Sequence, residues 1–324
     1  MFYRLAGMNE LLPHQKTALE FITSRLENNI NVLLADSAGT GKSLPALLAA
    51  RKFTPTGKIC LWVTLASLKL QLENEVIKFN IPFKPLVLSG TKAKRKTALS
   101  AFKGDLLVIN YEQIMLHPKE FSEMPISVIV ADECIRLGNM KNKSYKYLTS
   151  IANITKAKKI TLSGSPIVNL PLEAFSLFEY LNKGCLGNYW SFVSTYFAPS
   201  MWAKAGFVRT SKLPELASRL QPYYLRRERE VLLPELPDLI EQDLPVELTP
   251  EEDKFYKMIR SELLLEMKAA EIDNIDNPIG MQNGIVKFMR LRQYLVHPGL
   301  LGSAHQKFSK LEALKELLES WDIK

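Results

Sequence analysis

The sequence has little of what marks a membrane-bound or disulfide-built protein. No run of ~18 apolar residues free of charge occurs, so no membrane span is expected. The start, MFYRLAGMNELL, has no basic segment leading into an apolar one, so no signal peptide is expected. Cysteine is scarce: Cys60, Cys134 and Cys185 are scattered, with no C-x-x-C pair. That argues against a disulfide framework or a zinc site and for a reducing, cytosolic setting. The four histidines (His14, His117, His297, His305) are spread out, which argues against a histidine metal cluster or a catalytic triad. Acidic residues are the minority: 34 against 42 Lys and Arg, for a net charge of +8. That excess suits a polyanionic partner such as nucleic acid, or simply a mildly basic surface. There is no internal repeat and no low-complexity segment.

What is present is a chain of 324 residues, 47% hydrophobic and 23% charged, enough for about two globular domains. Up to about Lys183, short apolar runs alternate with amphipathic stretches. Strands are expected at NVLLAD (31–36), KICLWVT (58–64), PLVLS (85–89), DLLVIN (105–110), ISVIVAD (126–132) and KKITLSG (158–164). They are nearly continuous in Val, Ile and Leu, as strands buried on both faces are. Helical patterns between them imply an α/β fold with a mainly parallel sheet. Such sheets bind ligands beyond the carboxyl ends of their strands. After about Gly184 the strand rhythm stops. Thr249-Pro250-Glu251-Glu252 predicts a helix start, running to about Ala270. IDNIDNPIG (272–280) reads as a turn, and a second helix fits 281–296. Ser309-Lys310-Leu311-Glu312 reads as another capping box. It opens a helix with Leu311, Leu314, Leu317, Leu318 and Trp321 on one stripe.

The first expected strand runs into LLADSAGTGKSLPALLAA, a phosphate-loop pattern between a strand and a helix. The backbone N–H groups of Gly39, Thr40, Gly41 and Lys42 are placed to cradle the β-phosphate of a nucleotide such as ATP. Lys42 bridges the β- and γ-phosphates and the Ser43 hydroxyl ligates Mg²⁺ in this reading. Asp36 stands where the common pattern has its first glycine. A carboxylate there must point away from phosphate. The second component is the end of ISVIVAD. Asp132 would hold the Mg²⁺ shell, and Glu133 would act as general base on the attacking water.

These motifs, in order, resemble those of the Swi/Snf-type ATPases of helicase superfamily 2. DSAGTGKS resembles that family's D-E-x-G-x-G-K-[ST], which carries an acid at the Asp36 position. LLPHQ (11–15) resembles the upstream L-x-x-x-Q, which implies that Gln15 reads the adenine edge. LWVTLASLKLQLENEVIKF (61–79), LVINYEQI (107–114), LSGSPIVNLPLEAFSLFEYL (162–181), YYLRRERE with LPELPD (223–238), and LRQYLVHPGL (291–300) with SKLEALKELL (309–318) continue the match. Departures are Cys134-Ile135, where the family has Ala then His, Leu65 for a proline and Leu72 for a tryptophan.

The resemblance implies a RecA-like P-loop NTPase domain over 1–183 and a helical protrusion over 184–306. A helix over 307–324 would lead to a second RecA-like lobe, present in cis in the full protein or in trans. It implies the N-terminal ATP-binding half of a double-stranded DNA translocase, slow in ATP turnover by itself, inside the cell at nucleoid or nucleus. Ser163 and Ser165 would couple the γ-phosphate state to DNA-facing motifs. Ser67, Lys69, Asn110 and Tyr111 match motifs that touch the phosphate backbone. Lys92, Lys94, Arg95 and Lys96, in the charge run of 91–104, lie in the region that flanks the DNA groove, or form a solvated helix face. Lys141, Lys143 and Lys146 are a second basic edge. Arg226, Arg227 and Arg229 read as a solvated face. The alternative reading is a non-catalytic nucleotide- or DNA-binding regulatory module. A small-molecule P-loop kinase shares the loop but not the motifs after Asp132.

Overall fold

A computed structural model of the chain describes residues 11–167, 172–198, 207–235, 242–272, 278–297 and 308–320, and among these, side chains are described except at 207, 262–285 and 287. The turn expected at 272–280 lies mostly outside these residues, as do Trp321 and His305.

All six expected strands form: β1 (Val32–Leu34), β2 (Ile59–Thr64), β3 (Pro85–Val87), β4 (Leu106–Asn110), β5 (Ile126–Asp132) and β6 (Lys158–Leu162). A short antiparallel pair, β7 (Phe197–Ala198) and β8 (Phe207–Val208), and a two-residue strand, β9 (Tyr224–Leu225), come later. The main sheet has the order β3-β4-β2-β5-β6-β1-β9, and every pairing in it is parallel. The parallel α/β architecture expected from the sequence is therefore observed. Its last strand was not foreseen, because two residues carry no periodic signal.

Burial on both faces explains the continuous apolar runs. Every residue of β2 is buried. Leu33, Leu61, Val63, Leu107 and Ile129 pack toward one layer, and Val32, Leu34, Cys60, Trp62, Val108 and Val130 toward the other. Each such side chain stabilises the fold by about 1.5–3 kcal/mol relative to exposure. Helices cover both faces: α1 (Pro13–Glu27), α2 (Ser43–Lys52), α3 (Lys69–Lys78), α4 (Lys92–Ala101), α5 (Tyr111–Leu116), α6 (Pro118–Glu123), α7 (Lys143–Thr155) and α8 (Leu172–Leu181). Pro45 is accepted in the first turn of α2, where its missing N–H costs nothing. Cys60, Cys134 and Cys185 are free thiols, and burial pushes all three up in pKa.

The chain divides into two compact units, Met1–Pro237 and Asp238–Lys324. The sequence reading put the first boundary at 183. Residues beyond it stay with the first unit because Leu186, Phe192, Tyr196, Leu216 and Leu220 enter the core of the sheet domain. Here lie α9 (Tyr189–Tyr196), α10 (Leu213–Leu220) and α11 (Arg229–Leu232). The second unit contains α12 (Pro250–Ile272), α13 (Pro278–Val296) and α14 (Ser309–Ser320). The expected box at Thr249 is present: the Glu252 N–H donates to Thr249 Oγ1, and the Thr249 N–H donates to the Glu252 carboxylate. The box expected at Ser309 differs. Ser309 sits inside the first turn of α14, and its hydroxyl and N–H both donate to Glu252. No helix among the described residues is long and apolar enough to cross a membrane.

Burial of one cation gives a measurable pH effect. The Lys159 ammonium donates to the Tyr180 carbonyl and lies over the Tyr180 ring. Burial lowers its pKa from 10.5 to about 8, opposed by Glu179. The unfolded chain then holds this proton between pH 8 and 10.5 while the folded chain releases it. Stability from this group therefore rises with pH across that window, by at most about 3 kcal/mol. Urea unfolding of wild type and Lys159→Met at pH 7.5 and pH 10 should show the rise in wild type only.

Candidate functional site

The loop between β1 and α2 has the backbone freedom a phosphate cradle needs. Gly39 and Gly41 take φ of +79° and +71°, conformations that side chains resist. At Gly41 space is closed as well: a Cβ there would lie 2.7 Å from Gln15 Nε2. Gln15 is held behind the loop, with Nε2 donating to the Gly41 carbonyl at 3.4 Å and Oε1 accepting from the Leu12 N–H at 3.1 Å. His14 Nε2 lies 3.0 Å from the Thr40 carbonyl. Thr40 Oγ1 and Lys42 Nζ both donate to the Ser37 carbonyl, at 2.9 and 3.0 Å. Two separate contacts to α1 thus brace the loop from outside.

Asp36 faces away from this cradle. Its carboxylate is buried and receives both arms of Arg227: Nε at 3.1 Å and the terminal guanidinium nitrogen at 2.6 Å. Arg227 also donates to the His14 carbonyl at 3.0 Å. The reading of Arg227 as part of a solvated face is corrected: its side chain is only 19% exposed. Being the residue that neutralises Asp36, it was invisible to sequence reasoning across 191 positions.

The acidic pair lies at the same sheet edge, because β5 and β1 flank β6 and all three run parallel. Asp132 accepts from Thr64 Oγ1 at 3.1 Å and from the Glu133 N–H at 3.0 Å. Burial raises its pKa to about 6, and Glu133 adds to the rise, while the Thr64 hydrogen bond and Lys42 oppose it. Thr64 is a second site residue the sequence reading missed; a threonine closing the strand next to the acidic strand was the available signal. Glu133 adopts a left-handed backbone (φ +49°), which turns the chain sharply after β5. Its Oε2 accepts from Ser163 Oγ at 3.3 Å, and Ser163 Oγ accepts from the Ser165 N–H at 3.2 Å. A Cβ on Gly164 would stand 3.2 Å from the Ala38 nitrogen, so the serine segment packs on the phosphate loop itself. Lys42 feels Glu133, Asp36 and Asp132, which favour its charge, but burial outweighs them and lowers its pKa. Ser43 and Asp132 offer hard oxygen donors of the kind Mg²⁺ takes. In the acidic box Cys134 is buried, whereas Ile135 is 44% exposed.

The expected backbone-contacting residues fall into two groups. Ser67 is exposed in the turn Ala66–Leu68, and Lys92, Lys94 and Lys96 are exposed on α4, with Arg95 half-buried. Asn110 is half-buried, its amide donating to Glu112 at 3.0 Å. Lys69 and Tyr111 are internal instead. Lys69 Nζ donates to the Leu88 carbonyl at 2.7 Å, and the Tyr111 hydroxyl donates to the Asp132 carbonyl at 2.9 Å. Tyr111 is 1% exposed, so it props the acidic strand rather than facing an outside partner.

Comparison with known proteins agrees with this geometry. The family model for the SNF2-related domain matches residues 14–300. The zebrafish (Danio rerio) DNA repair and recombination protein RAD54-like is 26% identical over 320 residues, covering 90% of this chain and 42% of that protein. An uncharacterized ATP-dependent helicase of Mycoplasma pneumoniae is 26% identical over 327 residues, covering 97% of this chain and 29% of that protein. The solved SWI2/SNF2 ATPase core domain of Sulfolobus solfataricus superposes with a TM-score of 0.58 at 25% identity, over 98% of this chain and 65% of that one. The same core solved in complex with dsDNA gives 0.60 at 24% identity, over 98% and 66%. The chain spans less than half the length of these two curated relatives. Its sheet is that of the RecA-like Snf2 core. With the family model running over most of its length, this chain belongs to the SNF2-related domain family.

Proposed function

We propose that this chain is the N-terminal, ATP-binding half of a Swi/Snf-type translocase that couples ATP hydrolysis to movement on double-stranded DNA. The observation that carries the reading is the meeting of phosphate loop, acidic pair and serine segment at one sheet edge, with Ser163 hydrogen-bonded to Glu133. In this reading Gly39 to Ser43 bind the phosphates, Lys42 contacts the β- and γ-phosphates, and Ser43 and Asp132 hold Mg²⁺. The metal neutralises charge on the phosphate oxygens when bound. Glu133 takes the proton of the attacking water. Gln15, held behind the loop by its bond to the Gly41 carbonyl, is the residue assigned to the adenine edge in this reading. Ser163 and Ser165 link Glu133 to the following segment, so the γ-phosphate state reaches the DNA side. Exposed Ser67, Lys92, Lys94 and Lys96, with Arg95 and Asn110, are the proposed phosphate-backbone contacts, which position without reading sequence. A second RecA-like lobe, in cis or in trans, completes the site with arginine, worth roughly 10³–10⁵ in rate.

The test is steady-state ATP hydrolysis with and without double-stranded DNA, beside Lys42→Ala as the blank. Slow turnover of this chain, raised strongly by a cognate second lobe plus DNA, is the expected result. No hydrolysis in that combination, with ATP binding intact, would favour a non-catalytic regulatory module.

A further inference from the structure

The Asp36–Arg227 pair is placed where it bears on phosphate binding rather than on the fold alone. Asp36 lies two residues past the end of β1, where the loop begins. Its side chain is 3% exposed, so its charge is compensated by protein groups and not by water. Two cations are within its influence. Arg227 holds it directly, and Lys42 feels its charge. The same segment adds backbone bonds: the Ala35 N–H donates to the Leu225 carbonyl at 2.7 Å and the Ser37 N–H to the Arg227 carbonyl at 3.1 Å. Ser37 Oγ donates to Glu228 at 3.0 Å. The start of the phosphate loop is thus fastened residue by residue to 225–228, and the ion pair within that fastening includes a carboxylate whose charge reaches the loop lysine.

We propose that Arg227 is a positioning residue of the phosphate loop, neutralising Asp36 so that Lys42 remains free to engage nucleotide phosphate. The inference rests on the loop being a nucleoside triphosphate site. Without the guanidinium, the buried carboxylate is left unpaired, and Lys42, which already feels its charge, is the loop cation able to answer it. An ammonium turned toward Asp36 is lost to phosphate, and a bare carboxylate behind the loop repels the incoming anion. A bidentate fork suits the task better than a point charge, since it fixes the carboxylate plane as well as its charge.

The experiment compares wild type, Lys42→Ala, Arg227→Gln, Arg227→Lys and the double variant Arg227→Gln/Asp36→Asn. Each is titrated with a fluorescent ATP analogue, and amide hydrogen exchange is followed at 37–41 and in β2 and β4. Arg227→Gln should bind at least tenfold more weakly, with faster exchange at 37–41 and unchanged exchange in β2 and β4. Adding Asp36→Asn removes the competing carboxylate and should bring affinity back to within about fivefold of wild type. Arg227→Lys, which keeps the charge and loses the fork, should bind about threefold more weakly, and it serves if Arg227→Gln does not fold. The proposal is overturned if Arg227→Gln or Arg227→Lys binds like wild type, if the double variant shows no recovery over Arg227→Gln, or if β2 and β4 lose protection equally. A wild type that binds no better than Lys42→Ala overturns the nucleotide reading itself, and the role of Arg227 with it.

Discussion

Glu133→Gln is expected to slow ATP hydrolysis by about 10²–10⁴-fold, the contribution typical of a positioned general base, while ATP binding stays within a few-fold of wild type. The amide keeps the volume and the oxygen that accepts from Ser163 Oγ, so the serine segment stays in place. It removes only the group that can take a proton. The left-handed backbone at 133 is retained, because the substitution leaves the chain before and after it unchanged. Single-turnover assays with labelled ATP, run with DNA and read over hours, measure the chemical step, and a separate titration with a fluorescent analogue measures binding. Hydrolysis within threefold of wild type would remove Glu133 from the role of base.

The largest effect on stability is expected at the centre of the sheet. Trp62 is fully buried in β2, opposite Val108 on β4 and Val130 on β5. Trp62→Ala should cost about 3–5 kcal/mol, combining lost transfer energy with the cavity left behind. For a unit of this size that lowers the melting temperature by roughly 10 °C or more. The indole nitrogen has no hydrogen-bond partner, so none of the cost comes from a broken polar contact. Thermal melting followed by near-ultraviolet dichroism checks it, and a loss under 1 kcal/mol would mean that the layer between the sheet and α2 can collapse into the gap.

The strands were legible because burial on both faces writes itself into composition: KICLWVT and ISVIVAD are apolar wherever a neighbour strand or helix covers them. The loop and the acidic pair were legible because close approach to phosphate demands glycine, lysine and carboxylate at set intervals. What escaped is whatever depends on partners far along the chain. Lys69 and Tyr111 carry groups that suit a phosphate backbone, yet each finds a main-chain carbonyl in the interior, at Leu88 and Asp132. Type and spacing cannot distinguish an outward from an inward polar side chain when the covering element is not local. Arg227 is the same lesson in reverse, since one member of an arginine-rich run is drawn inside by an aspartate that no periodicity links to it. Ile135, which stands where the resembled family has His, faces outward.

The segment formed by β9 and the residues just after it (224–228) also sets a timetable. Its residues reach the ribosome's exit long after those of the loop they fasten: Asp36 and Arg227 are 191 positions apart. At about 5–20 residues per second, roughly 10–40 s of elongation separate the two. During that interval the nascent sheet carries a growing but unlatched edge, and Asp36 waits without its counter-charge. Long-range parallel pairing is slow to form in any case. The phosphate loop is therefore among the last parts of the first unit to gain its full setting, and a nascent chain shorter than about 228 residues has the loop's sequence but not yet that setting.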